Sequence, residues 1–272
     1  MKSQAENLAR FKALHAPGRI LVLPNAWDAA SARLAAELGA EAIATSSAAL
    51  AWCHGYADGE TIPAEVAFAA VREILRVVEV PVSVDSEAGY SADPAKVAEF
   101  VSALIGLGAA GINLEDSREP PQLLCDKIRA IKSAAQAKSA DIFINARCDV
   151  YLKNLVADEA KFAEAMRRAA LYREAGADGF FLPGVSDVAV IGEAVKRNDL
   201  PLNILIMKGV PPIADLKAAG VRRVSAGALT SRAAYGAAHR GIKRLLSDGR
   251  YDDIFASSAD CPNFNGLFGV PS

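Results

Sequence analysis

Eight short apolar runs rich in β-branched residues recur through this chain, each followed by a stretch of helical character, and no other feature narrows its fold as much. The runs are RILVLPNA (19–26), EAIATSS (41–47), VPVSVDSE (80–87), AAGINLED (109–116), DIFINAR (141–147), DGFFLPG (178–184), LPLNILIM (200–207) and RRVSAGA (222–228). Their apolar residues are nearly continuous, as in parallel strands covered by helices on both faces. The intervening stretches carry helix punctuation. Asp93-Pro94 opens AKVAEFVSALIGLG, while Gly39 and Gly176 close AASARLAAELG and DEAKFAEAMRRAALYREAG. Eight such units in roughly 250 residues predict an α/β fold, a (β/α)8 TIM barrel. An open doubly wound sheet is the alternative, but no GxGxxG follows the first run.

No Ser/Gly linker or low-complexity break interrupts the units, so residues 1–272 read as one domain, with the barrel at about 19–246. Residues 3–15 are expected to form a helix capping the barrel bottom. The last helical stretch, Ser231 to Leu246, is followed by the tail 247–272, which sets Phe255, Phe264 and Phe268 among turn-forming residues. An apolar extension of this kind needs a surface to cover, either its own barrel or a neighbouring subunit.

Composition removes several function classes. A formal charge of −2 gives no electrostatic reason to expect nucleic acid or an anionic membrane as partner. The longest charge-free apolar window, Phe100–Leu114, is 15 residues and is broken by Gly106, Gly108, Gly111 and Asn113, too short for a membrane span. The start MKSQAENLARFKALH has no apolar signal core. The four cysteines show no CxxC spacing, so neither a disulfide framework nor a structural zinc site is expected, and a reducing cytoplasm is the expected setting.

In a (β/α)8 barrel the active site lies at the C-terminal ends of the strands. Those ends hold Asn25, Trp27 and Asp28; Thr45, Ser46 and Ser47; Asp85 and Glu87; Asn113, Glu115 and Asp116; Asn145, Arg147 and Asp149; Asn203 and Lys208; and Ser225. Asp85 and Glu87 stand at i and i+2, on one side of a strand, beside Glu115 on the next. Paired carboxylates repel and are costly to desolvate, so a divalent cation is the natural third party. Solvated strand-end acids are the competing reading, and the clustering of three weighs against it. Arg147 suits a bidentate carboxylate contact, or else a structural pairing with Glu115 or Asp149. Ser46, Ser47 and Ala48 offer backbone N–H groups to an anion, or else form an ordinary turn. His54 reads as structural, and neither Cys53 nor Cys148 has an activating base. Single glycines, Gly209 and Gly227, make only a weak case for phosphate binding.

Taken in order, NAWDAASARLAAELGAEAIATSSAALA, GYADGE, VDSEAGY, GINLEDS, INARCDVYL and GADGFFLPG resemble the isocitrate lyase/phosphoenolpyruvate mutase superfamily from about Pro24 to Ala228. The resemblance implies a barrel, usually a homo-oligomer (dimer or tetramer) that exchanges a helix between subunits. It also implies Mg²⁺, or Mn²⁺ in its place, and a 2-oxo acid or dicarboxylate substrate passing through an enolate. Carried over, Asp85 is the main metal ligand, while Glu87, where many members have Asp, and Glu115 hold metal-bound waters. Asp58 in GYADGE matches an acidic residue of the mobile segment after the second strand. Ser46, Ser47 and Ala48 match the amides that grip the substrate, and Arg147 the substrate-binding arginine. Asp58 and Arg147 form the candidate catalytic pair; Trp27 and Asn203 complete the substrate-binding set.

The departures bear on substrate choice. The lyases carry a KKCGH-type loop after the fourth strand, with an acid-supplying cysteine; here the stretch is SREPPQLLCDK (117–127), with Cys125 expected in or near the next helix. The lyases' tyrosine on the second strand is Ala44, their sixth-strand glutamate is the Pro183-Gly184 turn, and the mutases' asparagine loop is not recognisable. The expectation is an Mg²⁺-dependent lyase that decarboxylates or cleaves an oxaloacetate-like acid. The alternatives are phosphorus–carbon chemistry on a phosphonopyruvate-like substrate, or a 2-oxo acid binding protein without turnover.

Overall fold

The computed structural model of the protein describes residues 3–269. Among them nine short strands form one parallel sheet: β1 (Leu21–Leu23), β2 (Asn25–Ala26), β3 (Ile43–Thr45), β4 (Val82–Asp85), β5 (Gly111–Glu115), β6 (Phe143–Arg147), β7 (Gly179–Phe181), β8 (Leu202–Leu205) and β9 (Arg223–Ser225). Each lies inside one of the eight predicted runs. The first run is cut in two at Pro24, which has no N–H to give to a ladder. β1 pairs with β9 and β2 with β3, so the halves of one run join the two ends of the sheet. The result is a nearly closed barrel with helices outside, the (β/α)8 architecture.

Strand alternation sorts the side chains. Along β5, Ile112 and Leu114 join the outer core, which also takes Val97, Val101 and Leu104 from helix Pro94–Leu107 and Leu124, Ile128 and Ile131 from helix Pro121–Ala137. Burying each such side chain stabilises the fold by about 1.5–3 kcal/mol. Cys125 lies in the second of these helices and is buried in the same core.

The predicted bottom cap is the helix Gln4–Leu14, started by a reciprocal Ser3–Glu6 capping box. Its Leu8, Phe11 and Leu14 pack with Leu21, Leu23, Ala42, Ala44, Ala110 and Phe143 to plug the barrel. Gly111 makes room for the plug, since a Cβ there would stand 2.8 Å from the Phe11 ring. Above the plug the interior turns polar. Fully buried Arg223 lies over the Phe11 ring and reaches Asn113 Oδ1 at 3.1 Å, and burial pulls its guanidinium down to about 9.

The final long helix spans Leu229–Asp248, and only Ser231 and Gly241 on it are buried. Ile242 and Leu246 stay open to solvent, Leu246 at 80%. The outer face of β1 is bare as well: Val22 is 42% exposed beside a shallow apolar groove that also takes in Ile20, Pro24, Ala35, Leu38 and Ile206. Short helices Asp252–Ser258 and Phe264–Leu267 follow; the last three tail residues, 270–272, lie outside the described residues. No helix among the described residues is long and apolar enough to cross a membrane.

Candidate active site

A pocket of about 340 Å³ opens at the C-terminal ends of the strands. Its walls bring together Ser46, Ser47, Ala48, Asp58, Asp85, Glu87, Glu115 and Arg147 of the predicted set. Trp27 and Asn203 are not among its lining residues. The Trp27 ring faces Tyr235 on the final long helix, and Asn203 is fully buried lower in β8 beside Ser225.

The two acids of VDSE meet through a turn rather than through strand alternation. β4 ends at Asp85, and Glu87 lies beyond it at φ +47°, a left-handed conformation that costs a non-glycine residue on the order of 1–3 kcal/mol. Each carboxylate is held by one oxygen. Asp85 Oδ2 accepts from the Ser47 N–H at 3.1 Å and hydroxyl at 2.8 Å, so the Ser47 amide serves Asp85 instead of standing free for an anion. Glu87 Oε2 accepts from the Glu60 N–H at 2.7 Å. The other oxygens, Asp85 Oδ1 and Glu87 Oε1, are buried without a hydrogen-bond partner. Burial, reinforced by the charges of Asp85 and its neighbours, pushes Glu87 up to about 8.

The segment after β3 closes over these acids. Glu60, itself at φ +58°, accepts from the N–H groups of Ala88 at 3.0 Å and Tyr90 at 2.8 Å while donating its own to Glu87. Asp58 sits exposed on this segment at the pocket rim.

Across β5 and β6 the charges alternate in a ring. Arg147 Nη1 lies 2.6 Å from Glu115 Oε2, and Arg147 Nε donates to Asp149 Oδ1 at 2.7 Å. Lys153 Nζ closes the ring, 3.0 Å from Glu115 Oε1 and 2.7 Å from Asp149 Oδ2. Burial pushes Glu115 above the ordinary carboxylate range, with Arg147 pulling against it. A guanidinium has five N–H donors, so Arg147 keeps some for a ligand.

The sequence of the whole barrel carries a family signature. Residues 11–246 match the family described as phosphoenolpyruvate phosphomutase. The chain belongs to the phosphoenolpyruvate phosphomutase family. It is 39% identical over 246 residues to an uncharacterized protein of Mycobacterium tuberculosis, covering 88% of this chain and 89% of that one. An oxaloacetate decarboxylase of Pseudomonas aeruginosa is 30% identical over 258 residues, 91% of this chain and 87% of the relative. A solved structure from Burkholderia cenocepacia J2315 superposes with a TM-score of 0.83 at 37% identity, covering 88% of this chain and 99% of that one. This phosphoenolpyruvate phosphomutase family member thus falls within the isocitrate lyase/phosphoenolpyruvate mutase superfamily, whose members are lyases and mutases.

Superfamily membership implies a divalent cation, and two of the three predicted ligands fit one. Asp85 Oδ1 and Glu87 Oε1 are bare, buried oxygens on adjacent acids, a donor pair that Mg²⁺ completes with water and ligand oxygens. Glu115 differs, because both its oxygens already face cations. Among the described residues no group of three His, Cys, Asp or Glu converges as a full protein cage.

Sequence reading missed Glu60, Leu152, Lys153 and Phe181. Lys153 had one local signal, its i,i+4 spacing from Asp149.

A pH dependence follows from Glu87. Between about 4.5 and 8 the folded protein keeps a proton on Glu87 that the unfolded chain has lost, so stability falls as pH rises through that window. Thermal unfolding in EDTA is expected to give a higher midpoint at pH 6 than at pH 8, and Glu87→Gln to flatten the slope. A slope unchanged in the variant removes Glu87 as its source.

Proposed function

We propose that the protein is a divalent-metal-dependent lyase acting on a small 2-oxo dicarboxylate, decarboxylating or cleaving an oxaloacetate-like acid through an enolate. One observation carries this reading: two bare carboxylate oxygens share a pocket with a guanidinium that still has donors to offer. The oxaloacetate decarboxylase relative, 30% identical over most of both chains, supports it.

Asp85 and Glu87 would hold Mg²⁺, with Mn²⁺ as a substitute; the cation supplies Lewis-acid stabilisation of the negative charge that builds on the oxo oxygen. Arg147, fixed by Glu115 and Asp149, orients the substrate carboxylate. Ser46 and Ala48 bound the substrate on the β3 side, and the segment bearing Asp58, latched through Glu60, shields the site from bulk water. Cys125 is packed in the core, its Sγ 3.7 Å from the Leu171 carbonyl, and cannot take the part of the lyases' acid. Protonation of the enolate carbon therefore falls to water, which favours decarboxylation over a cleavage that needs a placed acid.

The test is to assay oxaloacetate and related 2-oxo and 2-hydroxy diacids with Mg²⁺ and with EDTA, following product by NMR. EDTA-sensitive turnover of at least one acid is expected. No such turnover, with tight binding of oxalate, makes the protein a 2-oxo acid binder. We also infer that copies of the chain assemble through the helix Leu229–Asp248, whose exposed Ile242, Leu245 and Leu246 call for an apolar cover.

A further inference from the structure

The pocket has two halves. The acids come from the β4–β5 side, while Leu152, Phe181 and Leu205 come from the turn after β6, from β7 and from β8, beside Arg147, whose guanidinium lies 5.9 Å from the centre of the Phe181 ring. Leu152 is the unusual member, a leucine 37% exposed on a tight turn at the pocket wall. We infer that the turn Asp149–Asn154 sets substrate choice, with Leu152 meeting a small alkyl substituent on the carbon next to the substrate's oxo group. The inference rests on the 2-oxo dicarboxylate chemistry proposed above.

The turn is built to hold Leu152 in place. The Asp149 N–H donates to Asp116 Oδ1 at 2.9 Å, and the Lys153 N–H to the Asp149 carbonyl at 2.8 Å. The Lys153 ammonium spends its three donors on Glu115, Asp149 and the Ser117 hydroxyl, the last at 2.7 Å. Lys153 is thus a positioning residue, which leaves its neighbour Leu152 to face the ligand.

The opposite side of the turn demands a glycine. Gly184, at φ +93°, lies directly against it, and a Cβ there would stand 2.8 Å from the Leu152 nitrogen and 3.0 Å from its Cα. Any side chain at 184 would push the turn away, so the Pro183-Gly184 corner and Leu152 belong to one arrangement.

An unsubstituted oxaloacetate has oxygens for the polar half and nothing for the apolar one. A methyl or gem-dimethyl group beside the oxo carbon would cover Leu152 and Leu205, and one such group in an apolar pocket is worth roughly 10- to 200-fold in selectivity.

Calorimetric binding of succinate and 2,2-dimethylsuccinate in Mg²⁺ tests this without requiring turnover. The dimethyl acid is expected to bind wild type at least about tenfold more tightly. Leu152→Ser is expected to reduce that ratio to about two or less, and Leu152→Met to restore most of it. Equal binding of the two acids, binding of neither, or a ratio that survives Leu152→Ser overturns the assignment. A parallel turnover assay compares oxaloacetate with its 3-methyl homologue. Absence of turnover with the binding ratio intact overturns the lyase reading alone, whereas turnover without a preference for the methylated acid overturns the role of Leu152.

Discussion

Replacing Asp85 with asparagine is expected to lower metal-dependent turnover by roughly 10³-fold while leaving the metal-free protein close to wild type in stability, because a lost repulsion and a lost attraction oppose each other. Asparagine keeps an oxygen for the two Ser47 donors, so the local hydrogen bonds survive. What disappears is the charge on the bare Oδ1, and with it both its repulsion of Glu87 and its attraction for buried Arg223 and for Arg147. Glu87 should then titrate nearer the ordinary carboxylate range, because the Asp85 charge is one of the causes that raise it. Kinetics with saturating Mg²⁺, a calorimetric Mg²⁺ titration and thermal unfolding in EDTA read the three effects separately. A variant that keeps wild-type turnover removes Asp85 from the chemistry. One that loses turnover and stability together marks Asp85 as structural instead.

The largest stability loss is expected at a residue outside the pocket. Asp116, wholly buried, accepts from Arg168 Nη1 at 2.7 Å, from the Tyr172 hydroxyl at 2.5 Å and from the Asp149 N–H at 2.9 Å. Asp116→Ala leaves a buried guanidinium, a phenol and an amide short of a partner, and breaking a buried pair in this way costs about 3–5 kcal/mol. Glu164 keeps hold of Arg168 through Nε at 2.7 Å, which places the expectation toward the lower end. Urea denaturation of Asp116→Ala, Arg168→Met and the double variant checks it. The double variant should recover much of the loss, since it removes the stranded charge as well as its partner. Additive losses would mean that the two residues act independently.

The barrel was legible because its evidence is local and repeated. A run such as DIFINAR states its own strand, and eight such runs leave few ways to assemble. The candidate site was legible to the extent that strand ends define it: β4, β5 and β6 are neighbours, Glu115 pairs in register with Arg147, and Asp85 lies one pleat lower, opposite Asn113. Residues placed by turns were harder. Glu87 lines the pocket with Asp85 from a left-handed backbone position beyond β4, which the period-2 rule of a strand does not describe. Leu152 and Lys153 enter the pocket because Gly184, thirty-odd residues away in sequence, lets their turn pass. No local pattern announces such a contact. Trp27 shows the reverse error: it follows a strand end, yet the Ser31 hydroxyl takes its N–H at 3.0 Å and its ring turns toward Tyr235. Arg223 was least visible, since nothing in RRVSAGA tells which of two arginines crosses the barrel interior.

The sparsely covered helix Leu229–Asp248 starts immediately after Gly227 and Ala228, which belong to the pocket wall. The Gly227 N–H donates to Asn25 Oδ1 at 2.8 Å, and the Thr230 hydroxyl to the Asn25 carbonyl at 3.0 Å, so this root is stitched to the barrel rim. Further along, Ile254 of the helix Asp252–Ser258 packs against Gly241 and Arg244 pairs with Asp253 at 3.1 Å, yet Ile242, Leu245 and Leu246 keep an apolar face open. If a second copy covers that face, as proposed above, dilution would uncover a helix that begins at the pocket wall, and mass action would reach the chemistry through it. Enzyme output would then rise faster than in proportion to the amount of protein made, turning a packing detail into a dosage response.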